Sequence, residues 1–548
     1  MAAKSPSQST EKLTVAVIGA GPTGLTMLKT LREDGFAVTL YERRPHIGGL
    51  WAYSENPSYT TALAVTRANI SKFTCGFADF PMPDKYPIWM SPSEFQEYME
   101  SYAGTFDLFK DIVLNTAVRN VRRDSTDSKW VLDIETTGTG EGETKGEMVS
   151  YDKVVFCHGY QTKANFPRWE GQEAFAGTIT HSQAYRTPEP YKDKTVVVLG
   201  LGSSSGDIVP NLAPVARKIY ISHRRGAIPA RRVIKGAPGE LNITWRRRQI
   251  SQFMSRHFPG LSRLAADFAA KYLVKSMFGK LDPAWKLEPF PNITLSLPGV
   301  WENVIPLLKD GTVTSISGVK RFVGPKSIEF DDGTVLDDVD ALILCTGYQA
   351  DWSIAPFVET STPKTPGYGG PAMYRLYMNM FPPRYATSCA LLNYSAYGKN
   401  NGFSFADVHS AAISSVFRGI EPLPAREEME RHIDEHQEWV AGRWLLDPHC
   451  DTSAVKQWEF QGFLHRAAGT GMENVGWGWK GWKFWFQDRK MYHLINHGPE
   501  TAHGFRYFDT GRRKKWDGAR EAIIHINEVV KARFPDKDLE YKDTAPTR

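Results

Sequence analysis

A chain of 548 residues with 66 Lys and Arg against 61 Asp and Glu carries a formal charge of only +5, which argues against a nucleic-acid binder and against a disordered or fibrous protein. The length leaves room for about two to four packed domains. Cys75, Cys157, Cys345, Cys389 and Cys450 form no CxxC or CxxH pair, so neither a disulfide framework nor a metal site is indicated and a reducing, cytoplasmic setting fits best. No apolar run approaches the roughly 18 residues that cross a bilayer, and the start MAAKSPSQSTEK has no signal-peptide core.

The stretch LTVAVIGAGPTGLTMLKTLREDGFAVTLYERR, residues 13–44, predicts strand, tight turn, helix and strand. Its glycines, Gly19, Gly21 and Gly24, let the backbone turn sharply, approach a pyrophosphate without a Cβ in the way, and pack helix on strand. The helix start then offers unbonded N–H groups to the phosphates. Glu42 closes the second strand, placed to accept hydrogen bonds from ribose hydroxyls. GGLW at 48–51, with Leu50 and Trp51, returns glycine to the same neighbourhood.

From Lys194 the design repeats in KTVVVLGLGSSSGDIVPNLAPVARKIYISHRRG. Gly200, Gly202, Ser203 and Ser204 make the second turn, with Ser205 at the third glycine position and Gly206 beside it. The interval from Gly19 to Glu42 equals that from Gly200 to His223, so SHRR falls where the first copy has its acid. A carboxylate there would repel a 2′-phosphate, whereas Arg224 or Arg225, with the Ser222 hydroxyl, could bind one. Each such contact would favour NADPH over NADH by roughly 10- to 150-fold. Two unlike sites on one chain imply hydride passing from NADPH to a held redox ring, FAD. With no redox cysteine pair, oxygen is the leading electron acceptor.

Further along, TWRRRQISQFMSRHFPGLSRLAADFAAKYLVKSMFGK at 244–280 predicts a basic, partly amphipathic helical segment, expected as an insert packed on the second unit, with a helix lying on a membrane surface as the alternative. YGKNNGFSF at 397–405 is placed on the substrate side. VGWGWKGWKFWF at 475–486 is expected to pack against a neighbouring domain, and the tail YKDTAPTR to be unstructured.

FAGTITHSQAY at 175–185 resembles the FxGxxxHxxx(aromatic) fingerprint of class B flavin-dependent monooxygenases. GGLW, NISKFTCGFADFPMP at 69–83, DALILCTGYQADW at 340–352, LYMNMFPPR at 376–384 and VFRGIEPLP at 416–424 are similar to other segments of that family, in its N- and S-oxygenating branch. The likeness runs from about residue 13 to 430, and nothing after GGLW resembles the Tyr/Trp/Asn/Arg-rich segment of Baeyer–Villiger enzymes. Departures are Ala68 for threonine, Phe73 for glutamate, Tyr185 for tryptophan or phenylalanine and Cys345 for alanine.

The resemblance implies that NADPH reduces FAD, that O₂ adds to give a C4a-hydroperoxide, and that a soft nucleophile of a small molecule takes the distal oxygen. It assigns Asn69 to the reacting centre, Thr346 and Gly347 to cofactor binding, and His181 to positioning. The fold expected is α/β: two Rossmann-like domains, the NADPH domain at 169–330 inserted into an FAD domain built from 1–168 and 331–440. Residues 441–548 are expected to wrap the outside and end in a helix near 517–532. Baeyer–Villiger oxidation of ketones and a non-oxygenating redox-responsive or oxidase flavoprotein are the alternatives; the sequence is silent on a homo-oligomer.

Overall fold

The computed structural model describes residues 12–136, 146–392 and 403–535. Most of the YGKNNGFSF segment, and the tail, lie outside the described residues.

Strand β1 (Thr14–Ile18) leads through the first glycine turn into helix α1 (Pro22–Glu33) and strand β2 (Ala37–Tyr41). Pro22 suits the first helical position, where a missing N–H loses no bond. Helix α2 (Pro92–Thr105) opens with a capping box, Ser91 and Glu94 satisfying each other's backbone N–H. Strands β3 (Ile112–Val113) and β7 (Lys153–Phe156) join β1 and β2, and an antiparallel layer of β4 (Thr116–Arg123), β5 (Trp130–Thr136) and β6 (Gly146–Tyr151) stands beside them. With Cys389–Leu391 at its edge, the first sheet runs Cys389–Leu391, β7, β1, β2, β3, all parallel. TVAVI is buried on both faces, Val15 and Val17 against α1 and the later helix Ala406–Phe417, Ala16 and Ile18 against the antiparallel layer.

The second sheet has the same plan: Val313–Ser317, Lys218–His223, Thr195–Leu199, Ala341–Leu344 and Thr178–His181, again all parallel. Helix α3 (Ser203–Leu212) follows its central strand. This membership moves the expected boundary at 331. VVFCHGY and LILCTGY look alike because each flanks the glycine-turn strand of its own sheet, Ile18 opposite Phe156 and Leu199 opposite Leu344. The chain therefore leaves the second sheet after residue 344 and regains the first only at Cys389–Leu391. The two linkers meet, Lys163–Ala164 pairing antiparallel with Tyr348–Gln349.

Helix α4 (Trp245–His257) packs on the later helices Gln457–Ala468 and Arg489–His497, with Trp245 in the first unit's core and Arg248 buried against Glu500, and α5 (Pro259–Phe278) follows it. Of α5 only Ala270, Val274 and Phe278 are buried, so this helix is packed at one end and bare along the rest.

Short helix α6 (Val304–Lys309) completes the second unit; the C-terminal part is then helical: α7 (Ala406–Phe417), α8 (Arg426–Leu446), α9 (Gln457–Ala468), α10 (Trp479–Gln487), α11 (Arg489–His497) and α12 (Ala519–Arg533). Every residue of α7 is buried, between α1 and α9. Leu25, Leu28, Val408, Ile413, Phe460, Leu464 and Met491 share one core, so residues beyond 440 complete the first domain's interior instead of only wrapping it. Buried charges fasten this wall: Lys29 to Asp79 at 2.7 Å, Arg506 to Asp79 and Asp407 at 3.2 Å each, and Arg513 to Asp407 at 2.5 Å. The tryptophan patch departs from expectation, since Trp477, Trp479, Trp482 and Phe486 face outward. An aromatic run fixes burial only where another surface meets it.

Candidate functional site

At the end of β1, Gly19 has φ +102°, and a Cβ there would stand 2.8 Å from the His158 Cα. At Gly24 it would stand 1.8 Å from the Gly19 carbonyl oxygen, so only glycine lets helix and strand close. The GGLW segment folds over this turn: Gly48 N–H donates to the Ala20 carbonyl at 2.9 Å, and a Cβ on Gly49 would reach 3.0 Å from the Gly21 Cα. Buried Arg44 holds the segment down, donating to the carbonyls of Gly49, Ala52 and Thr60 at 2.8, 3.1 and 2.7 Å. The buried Glu42 carboxylate accepts the Ala20 N–H at 2.8 Å and the Arg44 N–H at 3.0 Å. Each oxygen keeps a second lone pair. Trp51 packs on Phe95 at a centroid distance of 4.2 Å, whereas Leu50 is exposed.

The second turn is built similarly and loosened in one place. Gly200, φ +114°, would drive a Cβ to 2.4 Å from the Cys345 carbonyl oxygen, while Gly202 meets open space. Ser203 is exposed and Ser204 half-buried in the first turn of α3. Ser205 is fully buried, its hydroxyl donating to the Gly202 carbonyl at 2.7 Å. Close approach has passed to Gly206, where a Cβ would lie 2.6 Å from the Val300 carbonyl oxygen.

The basic end of the following strand divides its residues differently from expectation. Ser222 is fully buried and donates its hydroxyl to the Ser317 carbonyl at 2.7 Å, so it is turned into the protein. Arg225 pairs with Asp447 and reaches Ser296 Oγ at 3.2 Å. Arg224 is exposed.

One segment, residues 48–72, spans from the first turn to the second. Thr60 Oγ1 accepts from Gln183 at 2.7 Å, Thr66 donates to Asp207 of α3 at 2.7 Å, and Ser71 N–H donates to Glu240 at 2.7 Å. Burial raises the pKa of Asp207 and of Glu240. Exposed Asn69 lies on this bridge, its Oδ1 accepting from Arg232 at 3.4 Å. Arg232 also donates to the Arg67 and Ala68 carbonyls at 2.9 Å each, and pairs with Glu302. A cavity of about 260 Å³ adjoins them, lined by Val65, Arg67, Gly206, Asp207, Arg232 and Glu302. Arg232 and Asp447 were missed in the sequence because no local pattern links them to partners scores of residues away, and Arg44 because nothing in the sequence says which nearby carbonyls turn toward it.

His181 takes a fixed tautomer. Its Nδ1 accepts the Gln183 N–H at 3.0 Å, leaving the proton on Nε2, which meets the Gly347 carbonyl at 3.2 Å. Burial lowers its pKa. Thr346 donates its hydroxyl to the Asn165 carbonyl at 2.6 Å, and Gly347 turns at φ +84°. These residues therefore sit where the paired linkers cross, Thr346 and Gly347 directly after Cys345, whose carbonyl packs on the second glycine turn at Gly200.

The sequence profile described as flavin-binding monooxygenase-like matches residues 12–538. The chain is 34% identical over 533 residues to the monooxygenase aurF of Gibberella zeae, covering 96% of this chain and 99% of that one. It is 30% identical over 538 residues to flavin-containing monooxygenase 5 of Cavia porcellus, covering 96% and 94%. Its fold is similar to that of S-allyl-L-cysteine S-oxygenase from Allium sativum, at a TM-score of 0.58 and 19% identity over 95% of this chain and 99% of that chain. It is also similar to cyclohexanone monooxygenase from Rhodococcus sp. Phi1 bound to NADP+, at 0.58 and 17% over 84% and 98%.

Proposed function

Because the chain belongs to the flavin-binding monooxygenase-like family and is thereby an NADPH-dependent FAD monooxygenase, we propose that it oxygenates an amine nitrogen or a sulfide sulfur of a small molecule. The observation that carries this reading is the pair of glycine cradles with opposite tips, Glu42 on one and Arg224 on the other, bridged by the segment bearing Asn69. Gly19 and Gly24 let strand and helix close on each other, a Cβ on Gly21 would meet only the Gly49 Cα at 3.8 Å, and α1 begins there with N–H groups unbonded within the helix. FAD fits that cradle, with Glu42 toward its ribose and Leu50 and Trp51 beside it. NADPH fits Gly200, Gly202, Ser203, Ser204 and Arg224, and Arg225 braces the strand end from behind through Asp447.

Bound there, the two cofactors supply hydride transfer and the activation of O₂. The chain's residues supply placement. The Asn69 amide donates and accepts without titrating, and Arg232 fixes its orientation while tying the first unit to the second. His181, Thr346 and Gly347 hold the linker crossing in one geometry. AYSENPSY after GGLW has no Trp or Arg and does not resemble the Tyr/Trp/Asn/Arg-rich segment of Baeyer–Villiger enzymes, which favours a nitrogen or sulfur acceptor over a ketone. The five cysteines are buried free thiols, in keeping with a cytoplasmic setting.

NADPH consumption coupled to product mass across an amine, a sulfide and a ketone tests the reading. A gain of one oxygen on the amine or sulfide is expected. Oxygenation of the ketone alone would assign the Baeyer–Villiger reaction, and consumption yielding only hydrogen peroxide would assign an oxidase.

A further inference from the structure

Two helices far apart in sequence leave apolar stripes bare. On α5, Leu261, Leu264, Phe268 and Tyr272 recur at helical spacing and are 57 to 74% exposed. On α10, Trp479, Trp482 and Phe486 recur likewise and are 57 to 78% exposed. Side chains of this size standing singly on a surface are unremarkable, but aligned rows of them mark a contact face.

Helix α4 joins the rows. It contacts both α5 and α11, it exposes Ile250 and Phe253, and Arg246 lies over the Trp477 ring at 4.4 Å. The charge around the rows is one-sided. Residues 245–280 hold eight Lys and Arg against one Asp, and residues 477–490 hold four against one, in a chain whose total is only +5; with Arg248 buried on Glu500 and Lys480 paired with Glu473, an excess of cations remains. Two such faces meeting as copies of this chain would bring like charges together, which opposes self-association. Tryptophan and tyrosine beside lysine and arginine suit the headgroup level of a bilayer, where the ring is half in hydrocarbon and the cation meets lipid phosphate. No described helix is long and apolar enough to cross a membrane.

We propose that the protein docks on an anionic lipid surface through the face made by α4, α5 and α10, lying on the bilayer without spanning it. The contact is independent of the chemistry at the glycine turns.

Flotation of the full-length, flavin-loaded protein with phosphatidylcholine vesicles, with and without about 30% phosphatidylserine, tests this. Co-flotation with the anionic vesicles at low salt is expected, weakening as salt rises. The triple change Trp479→Ser, Trp482→Ser and Phe486→Ser, and separately Leu264→Ser with Phe268→Ser, should each weaken partitioning about tenfold or more. These side chains are exposed, so flavin content and melting temperature should stay at parental values. Charge reversal by Lys271→Glu and Lys483→Glu, which leaves the apolar rows intact, should abolish the preference for phosphatidylserine. Failure to float at low salt overturns the proposal, as does parental binding by all three variants. So does lipid-free dimerisation abolished by the same changes, which would assign the face to a second copy.

Discussion

Arg224 and Arg225 are adjacent in the chain, yet the fold gives them unequal partners, and that inequality can be measured. Arg225 is held by Asp447 and Ser296, while Arg224 stands in solvent. Arg224→Ala should raise the KM for NADPH about 10- to 150-fold and leave that for NADH unchanged, by loss of one charge-assisted contact to the 2′-phosphate. Arg225→Ala should shift both cofactors modestly. Steady-state kinetics with each nucleotide separates the cases. Arg232→Met removes the donor to Asn69 and leaves Glu302 and two carbonyls without their partner. Product formed per NADPH should fall about tenfold, the signature of a misplaced group in a reaction that depends on orientation, while the KM for NADPH holds. At this scale the sequence shows the glycines, Glu42 and the arginine pair through spacing alone. It does not show that Ser222 turns inward or that Arg232 reaches Asn69, since both depend on which distant backbone atom comes within reach after folding.

Among the elements, α7 is the most constrained, buried on every side and bonded to Thr26 and Asp34 at α1 and to Arg506 and Arg513 of the C-terminal part. Burial works to raise the Asp407 pKa, and Arg513 and Arg506 outweigh it, holding the carboxyl below its ordinary range. A depressed carboxylate stabilises the fold above its unfolded pKa and loses that contribution as pH falls below about 4. Arg506→Leu should destabilise the protein by about 3 kcal/mol, the low end for a broken buried pair, because Asp79 keeps only Lys29 and Asp407 only Arg513 as counter-charge; a shifted urea midpoint checks it. His409 acts in a different window. Burial holds its pKa at about 4, so as pH falls from about 6.5 the unfolded chain takes up a proton that the folded one refuses. His409→Gln should remove about 3 kcal/mol of the stability lost between pH 6.5 and 4, seen as a flatter dependence of melting on pH. The α/β elements are legible from apolar runs and turns, but the tryptophan row on α10 was read as packed, because amphipathic spacing names a face without naming what covers it.

For the molecule as a whole, two copies of one sheet plan were legible, and the seam between them was displaced. VVFCHGY and LILCTGY are near twins, and only pairing distinguishes the sheet each belongs to. The likeness read from the sequence stops near residue 430, whereas the family profile runs on to 538, and Phe460, Leu464 and Met491 fill the same core as Leu25 and Leu28. A chain ended at residue 440 should therefore expose that core and emerge aggregated and without bound flavin, as gel filtration with absorbance at flavin wavelengths would record. The paired linkers, Lys163–Ala164 against Tyr348–Gln349, carry a mechanical consequence. Two strands laced side by side resist twisting and splaying more than a single thread does, and bend most readily across their common plane. The cofactor-bearing halves should accordingly swing like a door on a strap hinge, along one arc. Cutting either strand alone would leave the halves attached but free to wobble.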